Sequence, residues 1–385
     1  MNPIPYGRQH ITEEDLQAVT QTLLSDFLTQ GPQILEFEKA FASYIGSQYA
    51  LAVSNGTAAL HLAAMALDVK QGTNVITTPI TFAASANCIK YCGGNVYFAD
   101  IDPVTYLLDL EKVEALINSK PKGFFSGIIP VDFAGRAVNL EAFKELADRH
   151  GLWLLEDACH APGGYFTDSS GNHQNCGNCN YTSAAIFSFH PVKHIACGEG
   201  GMITTNDPAI YEKLLLLRTH GITKKPELME ANDGGWYYEM KELGYNYRLT
   251  DFQAALGLSQ LKRADSGLER RKELALRYEN AFRQQKGIRG QSGFTEGHAY
   301  HLYIIEVSDR LGLYNYLKQH QIFAQVHYIP VHTLPYYRQI GIQQMDLGNA
   351  EEYYRYCLSL PMYPTLTDDE QSFVIRTIQE FLNAL

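Results

Sequence analysis

Apolar and polar positions along the first part of the chain follow two periods, one typical of buried strands and one typical of amphipathic helices. Short apolar runs predict strands at 49–53, 75–78, 95–99, 127–131 and 152–155. Between them, apolar residues three or four positions apart predict helices at 12–24, 34–45, 82–91, 110–118 and 140–151, with a small-residue helix beginning at Ala58. This alternation predicts an α/β fold whose mainly parallel sheet is covered by helices on both faces.

The pattern changes after about residue 250. A long helical stretch is predicted at 251–285, followed by strands at 301–307 and 322–327 and by helices at 311–320, 350–358 and 368–382. We therefore predict a large domain at 1–250 and a smaller C-terminal α/β domain at 251–385.

Composition narrows the range of functions. Of 385 residues, 45% are hydrophobic and 19% are charged, which is typical of a soluble globular protein. The net charge of −11 argues against a nucleic-acid partner, because phosphate backbones bind basic surfaces. No apolar run approaches the ~20 residues of a membrane span. The N-terminal residues do not resemble a signal peptide, so we expect no membrane partner and a cytoplasmic location.

Seven cysteines, an odd number, do not indicate a disulfide framework. Cys176 and Cys179 form a CxxC pair, and His173 stands three positions before it. A zinc site would need a fourth ligand at suitable spacing, and none is nearby. The Gly, Ser and Asn content of 167–180 favours a surface hairpin loop, so no metal is predicted there.

Three polar groups follow predicted strands. Lys193 comes after the apolar run that begins at 184, where burial would lower its pKa and make it a nucleophile or base. Asp157 follows the strand at 152–155, and the turn at 54–57 precedes a helix whose N-terminus would bind an anion. A loop lysine, a helix cap and an ordinary turn capped by threonine are the structural alternatives. The carboxyl ends of parallel strands meet at one edge of a sheet, which favours a shared site.

Together these groups suit pyridoxal 5′-phosphate. A lysine forms an imine with this cofactor, an acid keeps its pyridine nitrogen protonated, and a helix N-terminus binds its phosphate. Phe82, at the start of another predicted helix, would stack on the ring.

The chain resembles the DegT/DnrJ/EryC1/StrS family of sugar aminotransferases, which have the PLP-dependent transferase fold type I. The resemblance extends from residue 28 to the final helix and rests on six ordered segments: 54–60, 78–84, 156–161, 187–193, 198–201 and 244–251. It implies a mainly parallel sheet in a large domain and a smaller C-terminal α/β domain.

The resemblance also implies a role for individual residues. Lys193 would form the Schiff base and act as general base, and Asp157 would pair with the pyridinium nitrogen. His160 would lie near the phenolic oxygen, and Phe82 on the ring. The phosphate would be bound by Gly56, Thr57, Ala58 and Ser188. Asn246 would reach the phosphate of a neighbouring subunit, which implies a homodimer with shared active sites.

Within the family, the segments 131–135, 190–195 and 324–330 are most similar to UDP-4-amino-4,6-dideoxy-N-acetyl-β-L-altrosamine transaminases of the pseudaminic acid pathway. The implied substrates are L-glutamate and a UDP-linked 4-keto-6-deoxy-N-acetylhexosamine. Tyr6, His327 and His332 are the predicted substrate-binding residues. Alternatives are another nucleotide ketosugar of the bacillosamine or perosamine type, or a non-catalytic cofactor-binding regulator. A sugar dehydratase on this fold has histidine in place of the lysine, and Lys193 argues against it.

Overall fold

The computed structural model describes residues 3–342 and 346–384. The strands are β1 (Ile4–Pro5), β2 (Tyr49–Val53), β3 (Asn74–Thr77), β4 (Asn95–Phe98), β5 (Gly127–Ile129), β6 (Trp153–Asp157), β7 (Tyr165–Thr167), β8 (His173–Asn175), β9 (Ala184–Ser188), β10 (Gly201–Thr205), β11 (Ile222–Thr223), β12 (Glu239–Met240), β13 (Ile288–Gln291), β14 (Tyr303–Val307), β15 (Ile322–Phe323) and β16 (Cys357–Leu360).

The helices are α1 (Glu13–Leu23), α2 (Pro32–Ile45), α3 (Gly56–Ala66), α4 (Ala84–Tyr91), α5 (Leu110–Asn118), α6 (Leu140–His150), α7 (Pro208–Arg218), α8 (Asp251–Leu261), α9 (Ala264–Phe282), α10 (Arg310–Gln319), α11 (Pro335–Gln339), α12 (Gly348–Tyr356) and α13 (Asp368–Asn383). No helix in the described ranges is both long enough and apolar enough to span a bilayer.

The largest sheet has seven strands in the order β2-β10-β9-β6-β5-β3-β4. β10 is antiparallel to both of its neighbours, and the other pairs are parallel. Along β2, Leu51 and Val53 join one hydrophobic core, and Ala50 and Ala52 join another. Apolar residues on both faces are the signature of a sheet covered on both sides, so the predicted α/β architecture is confirmed.

A smaller antiparallel sheet, β13-β14-β16, lies in the C-terminal part of the chain. Its apolar residues pack with those of α9, α10 and α13 in a core of their own. Two sequence predictions are wrong here. The predicted helix at 350–358 ends at Tyr356, because residues 357–360 pair with β14 as a strand. The predicted strand at 322–327 continues only to Phe323.

The prediction of a single long helix at 251–285 is also wrong, because the helix is interrupted between α8 and α9. Arg263 leaves helical geometry at φ −118° and ψ 15°. Its guanidinium donates to both oxygens of the buried Asp15 carboxylate, at 2.8 Å and 2.5 Å. A buried carboxylate is stabilised by such a two-point ion pair, and this long-range contact coincides with the interruption of the helical pattern.

The division into 1–250 and 251–385 stays a prediction, and several contacts cross it. β1 pairs with β15, which joins the N-terminus to the C-terminal part. α8 packs against α1 and α2. The buried carboxylate of Asp251 accepts hydrogen bonds from the backbone N–H groups of Gly31 and Gln33, at 2.8 Å and 3.0 Å. α8 therefore packs against N-terminal helices, and β1 pairs with a strand of the C-terminal part.

The predicted hairpin at 167–180 is only partly at the surface. β7 and β8 form an antiparallel pair over 165–175, and His173 is exposed. Cys176 and Cys179 follow the hairpin and are buried, which corrects the expectation that the whole loop lies at the surface. A Cβ on Gly177 would lie 2.2 Å from the Phe187 ring, which shows how closely this segment packs on β9.

Candidate functional site

A cavity of about 720 Å³ opens at the carboxyl ends of β2, β6 and β9. It is lined by Gly56, Thr57, Ala58, Phe82, Asp157, His160, Ser188, Lys193, Tyr6 and His327, all of which the sequence analysis selected. Asn246 and His332 are not among the lining residues. The convergence of strand ends therefore brings most of the candidate residues to one place, as expected for a parallel sheet.

Lys193 lies in the turn that follows β9. Its backbone N–H donates to the carbonyl of His190 at 2.8 Å, which closes the turn. Burial lowers the pKa of the amine to about 8, because the ammonium loses contact with water, and the nearby Asp157 carboxylate partly opposes this shift. The amine nitrogen lies 3.5 Å from Nε2 of His301.

Asp157 is the last residue of β6 and is buried. Its Oδ2 accepts a hydrogen bond of 2.6 Å from the Ser85 hydroxyl, and its Oδ1 accepts one of 3.2 Å from the Cys159 N–H. The Ser85 hydroxyl also lies 2.8 Å from that of Thr81. The sequence analysis missed Ser85, because serine near the start of a helix carries no pattern that identifies its partner.

The N-terminus of α3 faces the same cavity. The helix begins at Gly56, two residues earlier than predicted, and it is capped by Asn55 rather than by Thr57, since Asn55 Oδ1 accepts the Ala58 N–H at 2.8 Å. A Cβ on Gly56 would lie 2.9 Å from the Cβ of Ser188, so only glycine allows β9 to approach so closely. N–H groups of this first turn and the positive end of the helix dipole favour an anion.

His160 is buried and neutral. Burial and the neighbouring charge of Lys193 lower its pKa well below 6.5. Its Nδ1 accepts the Ala134 N–H at 3.2 Å, so the ring proton is assigned to Nε2, which lies 3.2 Å from the Tyr328 hydroxyl. His160 is therefore a fixed hydrogen-bond donor toward Tyr328 rather than a charged group.

An aromatic and imidazole wall of the cavity is formed by Tyr6, Phe82, His327 and Tyr328. Phe82 is 63% exposed, precedes α4 rather than beginning it, and lies 6.2 Å from Tyr328 between ring centroids. His327 packs its ring 5.2 Å from that of Tyr6 and places Nδ1 2.9 Å from the Ser359 hydroxyl. Burial, with a smaller effect of the Lys193 charge, lowers the pKa of His327 to about 3.

Two predicted residues lie away from this wall. Nε2 of His332 is 3.2 Å from a carboxylate oxygen of Glu351. Asn246 is exposed and forms a β-bridge with Thr219, beside the cavity residue Tyr247. The roles of His332 in substrate binding and of Asn246 in a partner's site stay predictions.

The cysteine motif does not assemble with His173. The ring of His173 stacks on Tyr165 at 4.1 Å, and the thiol of Cys179 donates to the carbonyl of Thr204 at 3.3 Å. Cys176 instead joins Asp132 and Glu156, with one ligand-type atom of each residue within 4.8 Å of the others.

Asp132 and Glu156 are two carboxyl groups withdrawn from water at the same place. Both Glu156 oxygens accept the Gly177 N–H, at 2.9 Å and 3.0 Å, and Asp132 Oδ1 accepts the Val138 N–H at 2.8 Å. Asp132 Oδ2 has no donor among the described residues. Burial, and for Glu156 also the Asp132 charge, raises the pKa of both carboxyls, so the pair keeps a proton.

The cavity fits pyridoxal 5′-phosphate. The Asp157 carboxylate is buried and takes part in no ion pair among residues 3–342 and 346–384, which suits a cationic pyridinium ring nitrogen. The first turn of α3 suits a phosphate, and Lys193 provides an amine of lowered pKa for the cofactor's aldehyde.

Comparison with known proteins agrees with this geometry. The model of the DegT/DnrJ/EryC1/StrS aminotransferase family matches residues 9–379. The chain belongs to this family. It is a PLP-dependent transferase of fold type I, and its cofactor is pyridoxal 5′-phosphate.

Several relatives cover the whole chain. The spore coat polysaccharide biosynthesis protein SpsC of Bacillus subtilis is 40% identical, over 98% of this chain and 97% of its own. Helicobacter pylori PseC, an aminotransferase involved in the biosynthesis of pseudoaminic acid, is 30% identical over 100% of both chains, with a TM-score of 0.89. The PLP-form of the sugar aminotransferase Spr1654 of Streptococcus pneumoniae is 26% identical over 99% of both, with a TM-score of 0.89.

The Asp132–Glu156 pair yields a prediction about stability. Because both pKa values are raised in the folded chain, the fold binds more protons than the unfolded chain, and this pair's contribution to stability is lost as pH rises. Glu156→Gln removes one titrating group. We therefore follow the difference in the free energy of unfolding, variant minus wild type. We expect this difference to increase by about 1–2 kcal/mol from pH 5 to pH 8.

Denaturant unfolding at several pH values measures this difference. The control is Glu145→Gln, at an exposed position of α6, which should follow the wild-type pH dependence. A Glu156→Gln curve parallel to wild type would show that the two carboxyls do not share a proton.

Proposed function

We propose that this aminotransferase moves an amino group from L-glutamate to the 4-keto carbon of a UDP-linked 4-keto-6-deoxy-N-acetylhexosamine. The product would be UDP-4-amino-4,6-dideoxy-N-acetyl-β-L-altrosamine, an intermediate of the pseudaminic acid pathway. The observation that carries the proposal is the convergence of Lys193, Asp157 and the α3 N-terminus on one cavity. The similarity to PseC over the full chain supports the choice of sugar.

Residues of this chain would hold the cofactor from three sides. Gly56, Thr57 and Ala58 at the helix N-terminus, with Ser188, would bind the phosphate. His160 would lie by the phenolic oxygen, and Phe82 would cover the ring. Bound pyridoxal phosphate supplies an electron sink that makes the carbon next to the substrate nitrogen acidic.

Asp157 would keep the pyridine nitrogen protonated. A buried carboxylate stabilises a positive charge more strongly than an exposed one does, because water does not screen the interaction. The Ser85 hydroxyl and the Cys159 N–H fix the carboxylate orientation while leaving it anionic, since neither of them can neutralise it.

Lys193 would move the proton that amino transfer requires. With a pKa of about 8, roughly a tenth of its amine is neutral near pH 7, so Nζ can accept a proton and return it to another atom. An exposed lysine, with a pKa near ~10.4, would be almost wholly protonated at that pH.

The aromatic and imidazole wall would receive the sugar nucleotide. A volume of about 720 Å³ is in the range of small-molecule sites. Tyr6 and His327 come from opposite ends of the chain and meet at this wall, where both residues line the cavity. His332, whose Nε2 lies 3.2 Å from a carboxylate oxygen of Glu351, would be a third substrate-binding residue.

We also propose a homodimer with shared active sites, in the cytoplasm. Asn246 is exposed and lies next in sequence to the cavity residue Tyr247. At this position it would contact the active site of a second copy of the chain. All seven cysteines, which lie within the described residues, are free, as is usual in a reducing compartment.

A second candidate is amino transfer to a different nucleotide ketosugar, of the bacillosamine or perosamine type. The 40% identity to SpsC, a protein of spore coat polysaccharide biosynthesis, favours it. A cofactor-binding regulator without turnover is the alternative from another functional class.

Turnover with a panel of nucleotide 4-ketosugars tests the proposal. We expect L-glutamate and the UDP-linked 4-keto-6-deoxy-N-acetylhexosamine to give the fastest turnover, with product configuration read by NMR. Preference for another ketosugar would favour the second candidate, and no turnover with any of them would favour the regulator.

Lys193→Ala should reduce turnover by on the order of a thousandfold or more, because both the covalent attachment and the proton transfer are lost. In the wild-type holoenzyme, borohydride should attach the cofactor irreversibly to Lys193, as read by peptide mass spectrometry. Attachment at another lysine would contradict the assignment.

Asp157→Asn is the matched comparison for Lys193→Ala. It keeps the amine, so borohydride should still attach the cofactor at Lys193 while turnover falls by about a hundredfold or more, because the ring nitrogen loses its anionic partner. Wild-type turnover in Asp157→Asn would show that this carboxylate is only structural.

Subunit mixing tests the shared site. Lys193→Ala and Asn246→Asp chains should each be nearly inactive, the second because a carboxylate would repel the partner's cofactor phosphate. Hybrid dimers contain one site with both residues intact, so activity should return to about a quarter of wild type after random exchange. Verified exchange without recovery would argue against sites completed by the partner.

A further inference from the structure

The Lys193 Nζ lies 3.5 Å from Nε2 of His301. Among the described residues, no other side chain is within hydrogen-bonding distance of this amine. His301 belongs to the segment just before β14 and is buried. Lys193 lines the cavity and His301 does not, so His301 contacts the amine from within the protein.

Hydrogen bonds to the backbone at and beside His301 fix its position. The guanidinium of Arg271, itself buried, donates to the carbonyls of Tyr300 and His301 at 3.2 Å and 3.3 Å. The N–H of Leu302 donates to the carbonyl of Ala134 at 3.1 Å, which ties the segment to the turn that also holds His160. The imidazole therefore has little freedom to move away from Lys193.

The His301 ring is neutral, because burial and then the Lys193 charge lower its pKa well below 6.5. Its neighbours are the rings of His160, at 4.3 Å, and His194, at 5.6 Å. Both of these rings also have pKa values lowered by burial, so none of them supplies a charge near neutral pH.

A neutral imidazole carries its proton on one nitrogen. Nδ1 of His301 is buried and has no partner among the described residues. A buried N–H without an acceptor is rare in proteins, so the proton belongs on Nε2, which faces Lys193. His194 has the same arrangement, with Nε2 2.8 Å from the carbonyl of Ala299 and Nδ1 without a partner in the described residues.

We propose that His301 is a positioning residue whose Nε2–H donates a hydrogen bond to the lone pair of the Lys193 amine and so favours the neutral amine. The inference rests on the proposed role of Lys193. Only the neutral amine is a nucleophile or base, so a fixed donor behind it keeps the reactive form in place. No proton is transferred in this arrangement.

The other groups around Lys193 oppose one another. Burial and the Arg271 charge disfavour the ammonium, whereas Cys159 and Asp157 favour it. His160, His194 and His327 are neutral, because burial lowers the pKa of each. A neutral donor at Nζ therefore acts in the same direction as Arg271 and against Asp157.

Nitrogen-15 NMR of histidine-labelled, cofactor-free, full-length chain tests the tautomer directly. The His301 resonances are assigned by their loss in His301→Gln. We expect a protonated Nε2 and an unprotonated Nδ1 above the Lys193 pKa of about 8, at about pH 9, where the amine is neutral and its lone pair is free to accept the hydrogen bond. A protonated Nδ1 or a doubly protonated ring would overturn the proposal.

Competitive acetylation of the same chain over a range of pH, read by peptide mass spectrometry, gives the pKa of Lys193. In His301→Gln the side-chain amide can turn its oxygen to the ammonium, so the Lys193 pKa should rise by about half a unit or more. The matched control is His194→Gln, which loses a bond to Ala299 rather than to Lys193 and should shift the Lys193 pKa much less.

An unchanged or lowered Lys193 pKa in His301→Gln, or an equal shift in His194→Gln, would overturn the proposal. Circular dichroism checks that each variant is folded. If His301→Gln does not fold, His301→Asn replaces it for assignment and the wild-type spectrum decides. Neither measurement uses a sugar or an amino donor, so failure of the proposed function would appear in turnover and borohydride attachment instead.

Discussion

The withdrawal of the Asp157 carboxylate from water is the constraint on which the site depends. A buried anion is costly unless something compensates it, and within residues 3–342 and 346–384 the hydrogen-bond donors to Asp157 are a hydroxyl and a backbone N–H. Asp157 lines the cavity, where a cationic ring nitrogen would complete its environment. Burial of Asp157 at this sheet edge therefore favours a cofactor with a positively charged ring nitrogen.

The protonation of neighbouring buried groups limits the net charge around the Asp157 carboxylate. Glu156, the residue before Asp157, is buried beside Asp132, and the pair retains a proton because burial disfavours both charges and the Asp132 charge also disfavours that of Glu156. Three buried imidazoles stay neutral around Lys193. The Asp157 carboxylate is therefore not offset by a charged histidine.

The residues that would choose the substrate are structurally separate from those that would hold the cofactor. Tyr6 follows β1, and His327 lies in the C-terminal part. One fold can carry different substrate-binding residues, so fold similarity alone leaves the sugar as a proposal.

Periodicity and local motifs were sufficient to predict the parallel sheet, the strand-end positions of Lys193 and Asp157, and the turn before α3, because each depends on residues close in sequence. Other features depend on distant contacts: the break at Arg263 beside Asp15, the conversion of 357–360 into a strand on β14, and the burial of Cys176 with Asp132. The approach of His301 to Lys193 joins residues 108 positions apart. A sequence pattern records which residues can be buried, but only the packed structure decides which buried groups meet and which of them must carry a proton.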